Sequence, residues 1–434
     1  MQFSKFASSL STSRLPAWPV GSDWRGCRRR PFYGWWIVAV CLIANLFGNT
    51  LGLFGAGVYL HVLIGAKTWP TSLISGAITV FYVTSALLLI PVGSMISRYG
   101  ARPVFTSGAL AMAAGVVGIG HAEELWQVYA AFLVAGIGWA CLSTTAVATA
   151  LVPWFERYQG RAVSIALLGA SAGGVVGVPV LLFGIENFGF AATTTVGALI
   201  TLVILLPLCW LLLKRHPQDM GLFPDGAEME SAVAMASEPK WSRRDALRTS
   251  ALRGVILCFA IGMMMQIGFL THQVTLLSPI LGTSGTATTV SATAIAALAG
   301  RLVLARFADR INERKTACAV LVLAAASFVI MALFRAPAAL VGGSVVFGLT
   351  IGNLTTLSPI IVRREFGAAS FGAIFGIASC GIQLGTALGP SFYGLLHDAS
   401  GGYRLPLLLA AAMDLLAGII IAVAARNDER PDAQ

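Results

Sequence analysis

Long stretches without a charged residue alternate along this chain with short polar segments. A helix that crosses a bilayer needs roughly 20 consecutive apolar residues. The stretches that meet this length are 31–66, 68–97, 103–122, 125–155, 162–185, 187–213, 254–300, 316–334, 336–362, 366–397 and, interrupted only by Asp414, 405–425. The stretch 254–300 carries Pro279, Gly282 and Gly285 near its centre, so it predicts a hairpin of two helices. The pattern therefore predicts an all-α membrane protein with twelve transmembrane helices.

The composition supports this interpretation. The 434 residues are 57% hydrophobic and 11% charged, whereas a soluble chain is about one quarter charged. Strict alternation of polar and apolar residues in ten-residue blocks is absent, so a membrane β-barrel is not predicted.

The net charge of +10 follows a membrane topology rather than a nucleic-acid-binding surface. Of the 29 Lys and Arg residues, 26 fall on the side of the two tails, and only Lys67, Arg335 and Arg404 fall on the other. Short loops rich in Lys and Arg stay in the cytoplasm. We therefore expect both termini to be cytoplasmic, in a cell (inner) membrane, with no nucleic acid as a partner.

Polar segments divide the chain into two halves of six predicted helices each. Residues 1–30 have no continuous apolar core and are interpreted as a cytoplasmic tail rather than a signal peptide. Residues 214–250, rich in charge and Pro, are the predicted cytoplasmic linker, and 427–434 the C-terminal tail. The predicted halves are 31–213 and 251–426.

The two halves match at a constant offset of 212 residues. Gly136 corresponds to Gly348 and Gly160 to Gly372, and two glycine series correspond position by position: Gly169, Gly173 and Gly177 with Gly381, Gly385 and Gly389. Each series is followed within two residues by Pro, which should disturb the helix near its middle. Glycines four apart allow close helix packing. Parallel six-helix repeats predict a substrate site between the halves, near the bilayer midplane.

The same offset aligns two short loops. The segment GSMISRYGARP (93–103) corresponds to ARFADRINERK (305–315). Gly100 and Asn312 are residue types that tolerate the left-handed turn expected there. Arginines in the loops are expected to bind helix C-terminal carbonyls or anionic headgroups. The predicted gating residues of these loops are Gly93, Arg98, Gly100, Arg102, Asp309, Arg310 and Arg314.

These loops resemble the signature loops of the major facilitator superfamily, whose members are transporters built from twelve helices. PWFERYQGRAVSIALLGASAGG (153–174) resembles the signature of its monocarboxylate and oxalate/formate branch, and RHPQDMGLFPDG (215–226) resembles a linker motif of bacterial members. THQVTLLSP (271–279) and AGR (299–301) also fit. The resemblance covers residues 33 to about 425 and implies transport by alternating access.

The chain departs from that branch at several positions. Ser97 stands where the first signature loop usually has Asp, so the latch built on that Asp should be weaker in the N-terminal half. Ala297 replaces an Asp that animal monocarboxylate carriers have one turn before the Arg of the eighth helix, and Ala56 replaces a Lys. A second cation of oxalate exchangers is missing near Ala378 or Cys380, which argues against a dicarboxylate.

Arg301 is the main candidate for substrate binding. It lies about 12–14 Å inside the predicted eighth helix, close to the midplane, where a charge costs roughly 2.5–3.5 kcal/mol. Arg offers a bidentate fork to a carboxylate. The alternative is a structural ion pair, but the predicted helices contain few acids: Asp414 is expected at the periphery and Glu186 at the opposite membrane face.

Other polar residues in the predicted helices are weaker candidates. His272 could bind substrate or carry a proton, or be a satisfied buried histidine. The amides must find partners in lipid, and these are either neighbouring helices or substrate. Asp414 is a minor candidate for proton coupling. The remaining predicted substrate-binding residues are Asn49, Gln266, Gln273, Asn353 and Gln383.

The sequence predicts a secondary active transporter of small organic anions, monocarboxylates above all. A drug or metabolite efflux carrier of the same superfamily is the alternative, although it would favour a buried acid in the N-terminal half. No HExxH or Walker A motif or His/Cys cluster occurs, so we expect no enzyme, no metal and no cofactor. Proton symport and anion exchange both stay open, and a monomer is expected.

Overall fold

The computed structural model is all-helical and describes residues 32–67, 69–155, 158–215, 217–223, 241–307 and 312–424. Gly282, with φ of 67°, divides one 58-residue helical stretch into two antiparallel helices, as the sequence predicted. The membrane helices are α1 Gly34–Ala66, α2 Thr71–Tyr99, α3 Ala101–Gly120, α4 Leu125–Leu151, α5 Gln159–Phe188, α6 Phe190–Leu212, α7 250–281, α8 283–307, α9 Glu313–Leu333, α10 Pro337–Phe366, α11 Ala368–Ala387 with Gly389–Ser400, and α12 Arg404–Val423.

By length and apolar composition, ten helical stretches of the described residues could cross a membrane. One of them, Ser250–Leu304, contains the reversal at Gly282 and therefore supplies both α7 and α8. These stretches supply eleven of the twelve helices. The remaining one is α11, which is interrupted at Leu388. The twelve-helix fold expected from the sequence is confirmed.

Hydrogen bonds between loops and helix ends identify the two ends of the bundle. Arg102 at the start of α3 donates to the Leu213 carbonyl after α6. Arg314 at the start of α9 donates to the Ile421 and Ala424 carbonyls at the end of α12. We call this end, where each half finishes, the tail end, and the opposite end the far end.

The glycine series in α5 and α11 pack against the first helix of each half. A methyl group at Gly169 would overlap the Leu42 carbonyl of α1, and one at Gly389 would overlap the Met264 carbonyl of α7. Such an approach is possible only without a side chain, as the spacing predicted. Helices α1 and α5 each also contain a π-helical turn, at Asn49–Phe54 and Gly173–Gly177.

The two signature loops adopt different turns. Gly100 has φ of 85°, a conformation that favours glycine, as expected. The corresponding expectation for Asn312 is wrong, because its φ is −85°. Its side chain instead accepts a hydrogen bond from the Lys315 amide at 3.1 Å and caps the start of α9, a role that suits Asn and does not require a left-handed backbone.

Part of the predicted organisation lies outside the described residues. These include the whole predicted N-terminal tail, the centre of the linker at 224–240, and the predicted C-terminal tail. The described parts of the linker form a 3₁₀ turn, Pro217–Met220, and a short helix, Arg243–Arg248.

Candidate functional site

Arg301 lies in the tail-end part of α8, against a seam of glycines on α10. A methyl group at Gly352 would overlap the Arg301 side chain at Cγ and lie 2.6 Å from the Ala297 carbonyl, while Gly300 faces the Leu349 carbonyl. The absence of side chains in this seam lets α8 and α10 approach closely and leaves room for the stem of Arg301. The side chain is therefore held in a notch between two helices.

The charged group of Arg301 has no partner among the residues that the structure describes. Its Nε atom is buried and makes no hydrogen bond, and no described carboxylate lies within the 4.0 Å of an ion pair. Neither of the internal partners weighed from the sequence, Asp414 and Glu186, is paired with it. The residue as a whole stays partly accessible. An unpaired guanidinium inside a helical bundle is ready to bind an anion.

The face of α8 that carries Arg301 is directed towards the N-terminal half. On this face Ser291 donates to the Val175 carbonyl of α5 at 2.8 Å, and Ala294 meets Gly174. In a regular α-helix the donor to the Val175 carbonyl would be residue 179, which is a proline without an N–H. Arg301 follows Ala294 by two helical turns, or about 10 Å, and so shares nearly the same face. It therefore lies at the boundary between the halves.

The candidate amides are held mainly by neighbouring helix groups. Asn353 donates to the Leu349 carbonyl of its own helix, Gln273 donates to Thr293 of α8 at 3.0 Å, and Asn49 donates to Asn45. Buried polar atoms nevertheless stay without a described partner: Asn353 Oδ1, Gln273 Oε1 and both side-chain atoms of Gln266. Gln383 is partly exposed on α11. Their role in substrate binding stays a prediction.

His272 lies nearer the far end, and both of its ring nitrogens are within hydrogen-bond distance of a neighbouring group. Its Nε2 lies 3.2 Å from both the Pro390 carbonyl and the Ser75 hydroxyl, and its Nδ1 lies 3.0 Å from the Tyr403 hydroxyl. A carbonyl can only accept, so Nε2 carries the proton and Nδ1 accepts from Tyr403. In the neutral ring, both nitrogens therefore have hydrogen-bond partners. The helical rise puts His272 at a depth about 13 Å from that of Arg301.

Further contacts join the halves around His272, and we call them the far-end closure: Ser72–Asp398, Ser75–His272 and Thr79–Ser391. The Ser72 amide, in the first turn of α2, donates to the Asp398 carboxylate of α11 at 2.7 Å. The Thr79 and Ser391 hydroxyls are 2.7 Å apart. Gly57 of α1 packs against the Leu270 and Thr271 carbonyls of α7. The two halves are thus bonded together at this end.

At the tail end, an open cavity of about 660 Å³ lies beside α2 and α4. The residues that line this cavity are Leu89, Ile90, Gly93, Ser94, Ser97, Arg98 and Thr149. Gly93, one of the predicted gating residues, has no neighbouring atom within 4 Å of an added methyl group. The hydrogen bonds that cross between the halves among the described residues all involve positions of α2, α5, α7, α8 and α11 away from this opening.

Two of the described gating candidates, Arg102 and Arg314, bind helix C-terminal carbonyls as the sequence suggested, although a gating role stays a prediction. Arg102 contacts the Leu213 carbonyl and lies 5.7 Å from the Trp210 ring, whereas Arg98 is exposed beside Tyr99. Arg314 reaches two carbonyls of α12. Ser97 donates only to the Gly93 carbonyl of its own helix. Asp309 and Arg310 lie outside the described residues.

Sequence reasoning did not find the ion pairs at the tail end of the C-terminal half. Arg314 pairs with Glu365 through two hydrogen bonds of 2.7 and 3.0 Å, and Arg364 pairs with Glu313. Adjacent charges of opposite sign, Glu313–Arg314 and Arg364–Glu365, were the available signal. These charges predict ion pairs only once it is known that α9 and α10 lie side by side. Tyr403 and Asp398, both in the far-end region, were missed for the same reason.

Comparison with known proteins identifies the family. The model of the Major Facilitator Superfamily matches residues 31–291 and 273–434. The chain belongs to the Major Facilitator Superfamily. Its members are transporters that span the membrane, which agrees with the twelve apolar helices.

Several relatives of this Major Facilitator Superfamily chain are monocarboxylate transporters. Monocarboxylate transporter 13 of Bos taurus is 25% identical over 401 residues, which cover 89% of this chain and 88% of the relative. Monocarboxylate transporter 11 of Mus musculus is 26% identical, with 76% and 74% covered. MFS-type transporter hasB of Aspergillus fumigatus is 29% identical, with 77% and 76% covered. The monocarboxylate-like branch suggested by the sequence is confirmed.

Solved structures show the same fold. A bacterial homolog of the human lysosomal transporter Spinster, in an inward-facing and occupied conformation, superposes with a TM-score of 0.72 at 13% identity. The alignment covers 93% of this chain and 100% of that chain. The inward-facing and unoccupied structure gives a TM-score of 0.69. At this identity the likeness establishes the superfamily fold alone.

Proposed function

We propose that the protein is a secondary active transporter of small organic anions, monocarboxylates in particular. The observation that carries this proposal is the buried, unpartnered Nε of Arg301 at the boundary between the halves. A carboxylate supplies two acceptor oxygens that match the guanidinium fork. The names of the mammalian relatives point to the same class of substrate.

Alternating access is the proposed mechanism. The predicted halves, 31–213 and 251–426, rock about the central site while the linker 214–250 joins them. In the described conformation the far-end closure separates Arg301 from the far side, and the cavity beside α2 and α4 opens at the tail end. An anion would reach Arg301 from the tail end, and breaking the far-end closure would expose it to the other side.

The orientation follows from the charges of the loops. With both termini cytoplasmic in a cell inner membrane, as the distribution of Lys and Arg favours, the tail end faces the cytoplasm and this conformation faces inward. Each chain contains both halves of the proposed site, so a monomer is sufficient for transport.

Uptake into proteoliposomes tests the proposed function. We would compare the wild type with Arg301→Ala for a panel of mono- and dicarboxylates. The matched control is Arg248→Ala, because Arg248 is an exposed arginine of the short helix Arg243–Arg248. We expect monocarboxylate uptake by the wild type and the control and none by Arg301→Ala. Uptake by Arg301→Ala at the wild-type rate would refute the carboxylate-binding role.

If the wild type transports no carboxylate, the hypothesis of a drug or metabolite efflux carrier is favoured. The fungal relative named only as an MFS-type transporter is consistent with either class. Calorimetry then measures binding of the same carboxylates to the purified protein. Binding without uptake would indicate an inactive preparation, and no binding would indicate a wrong substrate class.

A further inference from the structure

Asp414 is a buried acid that the proposed function does not use. It lies at the middle of α12, about 15 Å from either end of the helix. The residue has no exposed surface, and neither carboxyl oxygen makes a hydrogen bond. Among the described residues no Lys, Arg or His nitrogen lies within 4.0 Å of it. Asp414 therefore lies on a face of α12 that packs into the bundle, although the helix itself was expected at the periphery.

The surroundings of Asp414 contain no compensating charge. The described titratable groups near it are Cys258 of α7 and Tyr393 of α11. Cys318 of α9 lies one helical turn away along α12, 3.5 Å from a methyl group at Gly418. Among the described residues, the nearest cation along α12 is Arg314, about two turns towards the tail end, where its donors are used by Glu365 and two carbonyls. A carboxylate without a partner in such a place is costly, and a carboxyl group there takes up a proton instead.

Asp414 is connected to the contacts between the halves. Tyr393 of α11 is near the carboxyl group, and its hydroxyl is itself buried without a hydrogen-bond partner among the described residues. The Tyr393 ring stacks on His272 at a centroid distance of 5.7 Å and an angle of 23°. His272 in turn contacts Ser75 of the other half. Asp414 therefore lies near the layer of side chains, Tyr393 and His272, that joins α7 and α11 to α2.

We propose that Asp414 is the proton-binding site of the carrier. The carboxyl group is protonated while the far-end closure is formed. When the closure breaks and water reaches the Tyr393–His272 layer, the O–H bond of the acid breaks, the proton passes to water, and a carboxylate remains. Protonation from the other side restores the neutral acid. This inference rests on the proposed transport function and identifies a proton as the coupling ion.

The protonation state can be measured without transport. Infrared spectra of purified wild type at neutral pH should contain the carbonyl stretch of a protonated carboxylic acid, and Asp414→Asn should lack it. Glu186→Gln is the matched control, since it makes the same chemical change at an exposed acid on α5. A spectrum that Asp414→Asn leaves unchanged would overturn the proposal, whether or not an anion is transported.

Transport measurements then test coupling. For the wild type and Glu186→Gln we expect an inward proton gradient to stimulate anion uptake. For Asp414→Asn the ratio of uptake with and without the gradient should fall to about one, as for two ligands that no longer influence each other. Counterflow without a gradient should persist, which shows that the variant folds and moves substrate. Should this variant not fold, Asp414→Ser provides the same two readings.

Three results would contradict proton coupling at Asp414. The first is uptake by Asp414→Asn that is still stimulated by the gradient. The second is wild-type uptake that ignores a proton gradient although counterflow is active. The third is uptake that a sodium gradient stimulates in the wild type but not in Asp414→Asn, which would make Asp414 part of a metal-cation site. Absence of all anion transport by the wild type would refute the proposed function and leave the infrared result to decide on Asp414 alone.

Discussion

Arg301 and Gly352 form a pair in which one residue supplies the charge and the other supplies the space. The stem of the arginine occupies the volume that any side chain at position 352 would fill. Because this contact fixes the stem, the entropy cost of orienting the guanidinium is already met before an anion binds. At the scale of single residues, the orientation of Arg301 therefore depends on packing against Gly352 as well as on charge.

Arg301→Lys tests the geometry of the proposed contact while keeping its charge. An ammonium group cannot bind both carboxylate oxygens through a fixed fork. The loss of one charge-assisted hydrogen bond costs about 1.5–3 kcal/mol, so KM for a monocarboxylate should rise roughly tenfold to a hundredfold. Initial uptake rates over a range of substrate concentrations measure this change. A KM equal to that of Arg248→Lys, the exposed control, would show that the fork is not used.

At the scale of helices, glycines determine which pairs of helices approach closely. Three seams share this principle: α1 with α5, α7 with α11, and α8 with α10. The first two are related by the internal repeat and lie at equivalent places in the two halves. The third positions Arg301. Helix packing in lipid depends on such close contact, because burying apolar surface gains little there.

Gly352→Ala should damage the α8–α10 seam. The added methyl group would overlap Arg301 and approach the Ala297 carbonyl, and overpacking of this kind costs about 1–3 kcal/mol. We expect a lower midpoint of thermal unfolding in detergent and weaker anion uptake. Gly342→Ala in the same helix is the control, because nothing lies within 4 Å of its methyl group. Equal unfolding midpoints for the two variants would show that the seam can relax.

At the scale of the whole molecule, the described halves are hydrogen-bonded to each other at the far end, and an open cavity lies beside α2 and α4 at the tail end. The far-end closure consists of a few hydrogen bonds and a buried histidine, rather than a network of ion pairs. Such contacts are strong enough to hold one state and weak enough to break during a transport cycle. The two predictions that follow concern this closure.

Cysteines at Thr79 and Ser391 should lock the far end. Their hydroxyl oxygens are 2.7 Å apart, which suits the separation needed for a disulfide. Oxidation of Thr79→Cys/Ser391→Cys should stop uptake, and a reducing agent should restore it. With a protease site introduced in the linker, the oxidised halves should migrate together on a gel. The single variant Thr79→Cys is the control, and full uptake by the oxidised double variant would mean that the far end need not open.

Asp398→Asn should favour opening of the far end. The carboxylate accepts from the Ser72 amide in the first turn of α2, where a negative charge is worth about 0.3–1 kcal/mol. Its loss should raise the open population roughly twofold to fivefold. The rate at which an impermeant maleimide labels Thr79→Cys from the far side measures this change. Glu186→Gln serves as the control, and an unchanged labelling rate would argue against a role for Asp398 in closure.

The sequence by itself determined the helices, their number and the repeat. Long charge-free stretches have one stable structure in lipid, because every backbone group must be bonded within its helix. Glycine spacing and the reversal near Gly282 could likewise be predicted, since both depend on local backbone geometry. The family resemblance also followed from the linear pattern, whereas the midplane position of Arg301 stays a prediction.

Only the tertiary structure decided which side chains meet. It left Arg301 without a described acid as partner, placed His272 in the contacts between the halves, and buried Asp414 on an inward face of α12, a helix that was expected at the periphery. It also made Asn312 a helix cap rather than a left-handed turn residue. These outcomes depend on the rotation of each helix about its axis and on the neighbour it faces. In a chain that is apolar on nearly every face, the sequence pattern carries little information about that rotation.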